Sequence, residues 1–151
     1  MASSNNEQPV ENYFVAAKAI VLDDDGLMLT MLRGETAPTN PLHWDLPGGI
    51  LEYGEDLLDC MVRETQEEAG IEIDTPHIFH AIARMNSIGE FWTTIYAAAH
   101  ARSGEVHLSW EHNEYKWVSP EEFITLEASS QRIRETVERF IELRDKGKIS
   151  I

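Results

Sequence analysis

The chain is short of bases. Against 27 Asp and Glu it carries 12 Lys and Arg, a formal charge of −15 over 151 residues. Binding to phosphate backbones needs clustered Lys and Arg, so this balance argues against nucleic acid as a partner and equally against an anionic membrane surface. Cysteine is nearly absent. The single Cys60 excludes an internal disulfide and any thiolate metal cluster. Long apolar runs are missing, and none approaches the ~18 residues of a membrane span. The opening Met1-Ala2-Ser3-Ser4-Asn5-Asn6-Glu7-Gln8 has neither a basic nor an apolar stretch, so no secretory signal is read there and a soluble, cytoplasmic protein is expected. There is no internal repeat and no low-complexity tract. What remains is ordinary: 42% hydrophobic and 26% charged residues, in a length that suits one domain with a real core. The surplus of acids suits a site that collects divalent cations.

Residues 1–12 are polar and read as a disordered tail, leaving 13–151 as a single domain. Tyr13–Leu22, rich in Val, Ile and Ala, reads as a strand. Asp23-Asp24-Asp25-Gly26 reads as its turn and Leu27–Leu32 as the returning strand. Gly34, Pro38 and Pro41 mark a loop over 33–43, and Pro47-Gly48-Gly49 reads as a further breaker. Glu55–Ala69 reads as a helix closed by Gly70 at C′. Ile71–Met85 holds a strand with a bend at Pro76, Phe91–Ala99 reads as a buried strand and Glu114–Val118 as a short one. Ser119-Pro120-Glu121-Glu122 is a capping box with Pro at N1. Arg132–Arg144 places Ile133, Val137, Phe140 and Ile141 at helical spacing. Strands interleaved with two substantial helices indicate an α/β or α+β domain.

The acids are unevenly spread. Between Glu52 and Asp74 there are nine, against one base, Arg63. On a helical wheel, Leu57, Leu58, Met61, Val62, Thr65 and Ala69 share one apolar arc, while Asp56, Asp59, Arg63 and Gln66 fall opposite. Glu68 falls inside the apolar arc, Glu64 on its edge, and Glu67 beside Glu64. A solvated acidic face accounts for Asp56 and Asp59, not for Glu64 and Glu68. Two carboxylates held i,i+4 at a core edge repel each other and lose hydration. Arg63 lies on the wrong face for both, so a hard divalent cation with oxygen ligands is the economical compensation. Just upstream, the Pro47-Gly48-Gly49 turn lets backbone approach a ligand and can turn carbonyls toward a metal.

From Gly49, five residues lead to Glu55. Seven more lead to Arg63-Glu64-Thr65-Gln66-Glu67-Glu68-Ala69-Gly70-Ile71. This run resembles the Nudix box, Gly-x5-Glu-x7-Arg-Glu-U-x-Glu-Glu-x-Gly-U, where U is a bulky apolar residue. Gly49, Glu55, Arg63, Glu64, Glu67, Glu68, Gly70 and Ile71 match. Thr65 departs from it, with a methyl that can pack and a hydroxyl that can bond back to a helix carbonyl. Trp44-Asp45-Leu46-Pro47-Gly48-Gly49 is similar to the usual lead-in.

The resemblance implies a Nudix fold: a mixed β-sheet between helices, with the box as loop–helix–loop. It implies an Mg²⁺- or Mn²⁺-assisted hydrolase of a nucleoside diphosphate linked to another moiety. Triphosphates, dinucleoside polyphosphates, ADP-ribose-like compounds and nucleotide sugars all qualify. Glu64, Glu67 and Glu68 are then metal ligands, one of them being the base or acting through water. Gly49 offers a carbonyl, and Glu55, Arg63 and Gly70 support the motif. With every acid and Arg63 present, hydrolysis is favoured over the alternative, a non-catalytic Nudix-like module that binds a nucleotide and regulates. A merely structural acidic protein leaves Glu68 unexplained.

Members of this family often supply a further ligand or base from a loop before the Trp-containing strand. Here that segment is Glu111-His112-Asn113-Glu114-Tyr115-Lys116-Trp117. Glu111 is the first choice as metal ligand and Glu114 the second. His112, with an ordinary pKa near neutrality, is either a general base or a solvent-exposed loop histidine. Trp44, Phe91 and Trp92 are candidates for stacking on a base, and Arg33 and Arg84 for holding substrate phosphate. The other five histidines read as structural. A symmetric homodimer is the default oligomer.

Overall fold

The structure is a computed structural model that describes residues 12–86 and 88–151. Apart from Asn12, the expected N-terminal tail lies outside the described residues. In chain order the elements are β1 (Tyr13–Leu22), β2 (Met28–Arg33), β3 (Trp44–Asp45), β4 (Gly48–Ile50), α1 (Leu57–Ala69), β5 (His77–Met85), β6 (Phe91–His100), β7 (His112–Val118), α2 (Pro120–Phe123) and α3 (Gln131–Asp145).

The sheet is mixed, with strand order β3-β2-β1-β6-β5; β4 pairs with β1 and β7 with β2. β1 and β6 run parallel along their whole length, from Tyr13 opposite Phe91 to Leu22 opposite His100. On its other edge β1 changes partner. β2 meets it at Leu22, and β4 takes over at Ala16–Lys18. That exchange creates the gap in which the box is seated.

Helices cover both faces. On one, α1 packs Cys60 and Met61 against Ala17 and Ala97, and Ala69 lies in a cluster with Ala19, Val21, Leu29 and Met31. The small residues of β1 and β6 let the helix approach closely. On the other, Ile133, Val137 and Phe140 of α3 and Phe123 of α2 pack on Ile20, Leu22, Met28, Trp44, Leu46 and Tyr96. No helix among the described residues is long and apolar enough to cross a membrane.

Several local expectations change. The Pro47-Gly48-Gly49 breaker is half strand. Gly48 has φ 147°, and a Cβ there would collide with the Ala17 carbonyl, so glycine alone lets β4 close on β1. The helix begins two residues later than expected. Asp56 is its N-cap, accepting from Leu58 N at 2.9 Å and Asp59 N at 3.2 Å, so Glu55 stands before the helix. β7 begins at His112 rather than Glu114. β6 is buried mainly in its second half. Gly70 closes α1 at φ 66°, donating to Gln66 O, the left-handed cap its position predicts. Ser119 caps α2 through Glu122 N at 3.1 Å.

Candidate active site

Arg63 is the hub of the box. Its Nε and Nη2 grip the two oxygens of Glu55 at 2.6 and 3.0 Å. Its Nη1 donates to Glu64 Oε1 at 2.9 Å and Glu67 Oε2 at 3.1 Å. The wheel placed Arg63 on the wrong face for Glu64. The structure corrects this, because a long, forked side chain reaches across the rim to its sequence neighbour. For Glu68 the wheel's separation stands: Arg63 makes no bond to it among the described residues. The guanidinium holds the Glu55 carboxyl down at about 2.

The buried stripe of α1 is rotated toward the acids relative to the wheel. Cys60, Met61, Thr65, Glu68 and Ala69 are buried, while Val62 is exposed. Gly49 turns its bare α-carbon to this side of the helix. A Cβ there would lie 2.5 Å from Glu64 Cδ, so Glu64 is drawn in against the backbone. Thr65 faces the core and its hydroxyl bonds back to Met61 O at 2.8 Å, which accommodates the one departure from the motif.

Glu68 is 7% exposed. Its carboxylate accepts one hydrogen bond, from Gly48 N at 3.3 Å. Burial pushes it up to about 8, helped by the charges of Asp45 and Glu64 and opposed by Lys18 and the Gly48 bond. Glu64 is also raised, by burial first, with Arg63 opposing and Glu67 and Glu111 adding repulsion.

Behind this wall lies an ion cluster that the sequence reading missed. Lys18 Nζ donates to Asp45 Oδ2 at 2.8 Å and to Leu46 O at 3.3 Å. Arg33 Nη1 reaches the same Asp45 oxygen at 3.2 Å. Burial opposes the charge of Asp45, but Lys18 and Arg33 hold it below the usual carboxylate range. The available signal was a lysine at a central, otherwise apolar strand position.

The loop before β7 reaches the box. Ser109 N donates to Glu68 O at 2.9 Å and Gly34 N to Glu111 O at 3.0 Å. The exposed carboxylate of Glu111 lies close enough to Glu64 to repel its charge. Glu114 is exposed on β7 opposite Leu32. His112 differs from both expectations. It is 7% exposed, opposite Arg33 in the ladder, and its Nδ1 is buried without a hydrogen-bond partner among the described residues. Burial lowers it to about 4, with Lys18 and Arg33 acting the same way against Asp45. It is neither a solvent-exposed loop histidine nor a base of ordinary pKa.

The remaining candidates are committed elsewhere. Trp44 is 8% exposed in the α3-side core, with Lys116 Nζ 4.6 Å over its ring, so its faces are covered and base stacking is corrected to packing. Arg33 spends its guanidinium on Asp45 and on Thr39 O, not on a free phosphate site. Arg84 pairs with Glu135 of α3. Trp92, opposite Arg84, stacks on Phe14 at 4.7 Å and donates to Glu90. Phe91 lies against Tyr13.

Among the described residues, no three acidic, histidine or cysteine side chains converge as they stand into a cation site, because Glu64 and Glu67 are turned to Arg63. The donor chemistry nonetheless fits a hard divalent ion. Glu64, Glu67, Glu68, Glu111 and the Gly49 carbonyl offer oxygen only, and Glu68 keeps lone pairs that one long hydrogen bond does not fill.

Known proteins are similar to this chain in sequence and fold. The asymmetrical bis(5′-nucleosyl)-tetraphosphatase of Mus musculus is 36% identical over 85 residues, covering 53% of this chain and 58% of that protein. The chain thus spans a little over half the length of that relative. Nucleoside triphosphatase NudI of Escherichia coli O17:K52:H18 is 28% identical over 116 residues, 69% of this chain and 81% of that protein. The crystal structure of a MutT protein from Methanosarcina mazei Go1 has a TM-score of 0.81 at 29% identity, covering 91% of this chain and 99% of that one. The NUDIX domain model matches residues 12–140, and with Glu55, Glu64 and Glu67 gathered on Arg63, Glu64 against Gly49 and Glu68 on Gly48 N, the chain belongs to the Nudix family.

Proposed function

We propose that the chain is a divalent-metal-dependent pyrophosphohydrolase, cleaving a nucleoside diphosphate linked to a further moiety by attack of water on phosphorus. The observation that carries this reading is Glu68: a carboxylate at 7% exposure, held by one backbone N–H, i,i+4 from a Glu64 that leans on Gly49. Such a pair is costly unless a cation compensates it. Glu64, Glu67, Glu68, Glu111 and the Gly49 carbonyl would hold Mg²⁺ or Mn²⁺. Bound there, the cation would neutralise the diphosphate, polarise its oxygens and lower the pKa of a water. Arg63, anchored on Glu55, pairs with Glu64 and Glu67 beside this wall, and the cation would take their oxygens from it. One of Glu64, Glu67 and Glu68 would orient or deprotonate the attacking water in place of holding the metal, and Glu64, against Gly49 and near Glu111, is our first choice.

The name of the mouse relative makes an asymmetrically cleaved dinucleoside tetraphosphate the first substrate to test. The name of NudI favours a nucleoside triphosphate as the second. The deciding experiment incubates the protein with each compound in ¹⁸O-water, with Mg²⁺, with Mn²⁺ and with excess chelator, and locates the label. Label on one product phosphate, only when metal is present, is the expected result. Full turnover in excess chelator would sink the mechanism. Tight nucleotide binding without any turnover would leave a regulatory module instead.

A further inference from the structure

The Lys18–Asp45 pair lies outside the box, yet apart from the Arg33 bond to Asp45 its side-chain bonds lead to the turn on which the box depends. Lys18 stands opposite Gly48 in the β1–β4 ladder. Its stem fills the space a side chain at Gly48 would need: a Cβ there would lie 2.7 Å from Lys18 Cγ. Its ammonium bonds both Asp45 Oδ2 and Leu46 O. Asp45 Oδ1 accepts from Leu46 N at 2.7 Å. The Asp45 carbonyl is tied to Thr30 Oγ1 at 2.9 Å, and Pro47 O accepts from Ala19 N at 2.9 Å. Asp45 through Pro47 is therefore clamped to β1 and β2 immediately before the two glycines. Gly48 then presents its N–H to Glu68, and Gly49 its bare α-carbon to Glu64. Lys18 and Asp45 keep little exposed surface, 13% and 8% of their side chains, where the cost of desolvation offsets much of an ion pair's attraction and its net stabilisation is small.

We propose that the Lys18–Asp45 ion pair is a positioning element of the hydrolytic site. By clamping the Leu46–Gly49 turn it sets where Gly48 N–H meets Glu68 and where the Gly49 carbonyl and Glu64 face the metal and diphosphate. This rests on reading the Glu64–Glu68 wall as the metal and diphosphate site. Neither residue touches the reacting atoms in this account; both act through the turn. Partners that orient the groups holding a metal are typically worth about 10- to 100-fold in metal affinity or activity.

The test uses the full chain with Lys18→Met, Asp45→Asn, the double variant and Lys18→Arg. The double variant is the principal one, because it leaves no uncompensated charge in the cluster except that of Arg33, which reaches solvent. Three readouts are taken: melting temperature in chelator, Mn²⁺ affinity by water-proton relaxation, and the ¹⁵N–¹H positions of the Gly48 and Gly49 amides. Turnover and KM are measured on whichever nucleotide the wild type cleaves. The expected result is a folded double variant with Mn²⁺ affinity and kcat each lower by about tenfold or more and KM little changed. Its Gly48 and Gly49 amides shift, and Lys18→Arg, which can still span Asp45 and Leu46 O, recovers most of the loss. A folded double variant with wild-type Mn²⁺ affinity and unmoved glycine amides overturns the proposal, as does a Lys18→Arg as impaired as the double variant. Should the wild type bind no Mn²⁺ and cleave no nucleotide, it is the functional reading that falls, and the amide positions alone decide the positioning role.

Discussion

At the scale of single residues, Glu68 and His112 have opposite relations to pH. Burial pushes the Glu68 carboxyl up to about 8 in the folded chain, against an ordinary 4.5. Between those values the unfolded chain has released a proton that the folded one keeps, so the folded state loses stability as pH rises from about 4.5 and bears the full penalty above about 8. Thermal melts in chelator should therefore fall between pH 5 and 9, and Glu68→Gln should flatten that slope. The same substitution should cost at least ~10²-fold in turnover, since it removes a charged oxygen ligand, whereas Asp59→Asn, on the exposed face of α1, should leave turnover near wild type. Equal losses at the two positions would contradict the burial on which the site is built. His112 remains neutral down to about 4, against an ordinary 6.5, so its contribution is lost as pH falls from about 6.5 to 4. An acidic limb at pH 6–7 in the rate profile is accordingly not expected from His112, and His112→Gln should leave any such limb in place.

At the scale of elements, the two glycines of β4 should separate folding from function. A methyl at Gly49 meets the far end of the Glu64 side chain, which can swing aside. Gly49→Ala should fold and melt near the wild type while losing metal affinity and turnover. A methyl at Gly48 meets the backbone of Ala17, at a φ that L residues rarely adopt. Gly48→Ala should destabilise by about 2 kcal/mol or more, a strained and overpacked site. Urea melts of both variants, read beside Mn²⁺ titrations, check the contrast. The N-cap of α1 gives the reverse pattern. Asp56→Ala removes the acceptor for Leu58 and Asp59 N and should cost about 1 kcal/mol of stability with metal dependence unchanged.

At the scale of the whole molecule, the charge of −15 and the wall of carboxylates act together. In chelator, raising salt to about 0.5 M should raise the melting temperature by screening self-repulsion. Saturating Mg²⁺ should raise it further, because a cation that binds the folded chain alone stabilises it by mass action. A melting temperature indifferent to Mg²⁺ across a concentration series would remove the compensation that the Glu64–Glu68 pair requires.

Local chemistry alone determined much of this. β1 was readable to its ends because Tyr13–Leu22 is an aromatic, β-branched and small apolar run, interrupted only by Lys18, beside a DG turn. Gly70 was readable as a cap because a left-handed residue is needed where the helix stops. The burial of Glu68 followed from helical spacing, which depends on nothing beyond the segment. The ring of acids was legible because a motif of fixed spacing carries it. Tertiary structure decided the rest. No spacing rule could place Lys18 beside Asp45, since only the assembled sheet, with Lys18 opposite Gly48 and Asp45 opposite Met31, brings them together. The conversion of Gly48 and Gly49 from breakers to a strand required the open edge that β2 leaves on β1. Val62 faces outward and Cys60 inward because α1 packs Cys60 against Ala17 and Ala97, a contact between segments. His112 lost its solvent because β7 started two residues early and paired it with Arg33. Each of these depends on which backbone lies across the gap, and that is a property of the assembled sheet rather than of any stretch of chain.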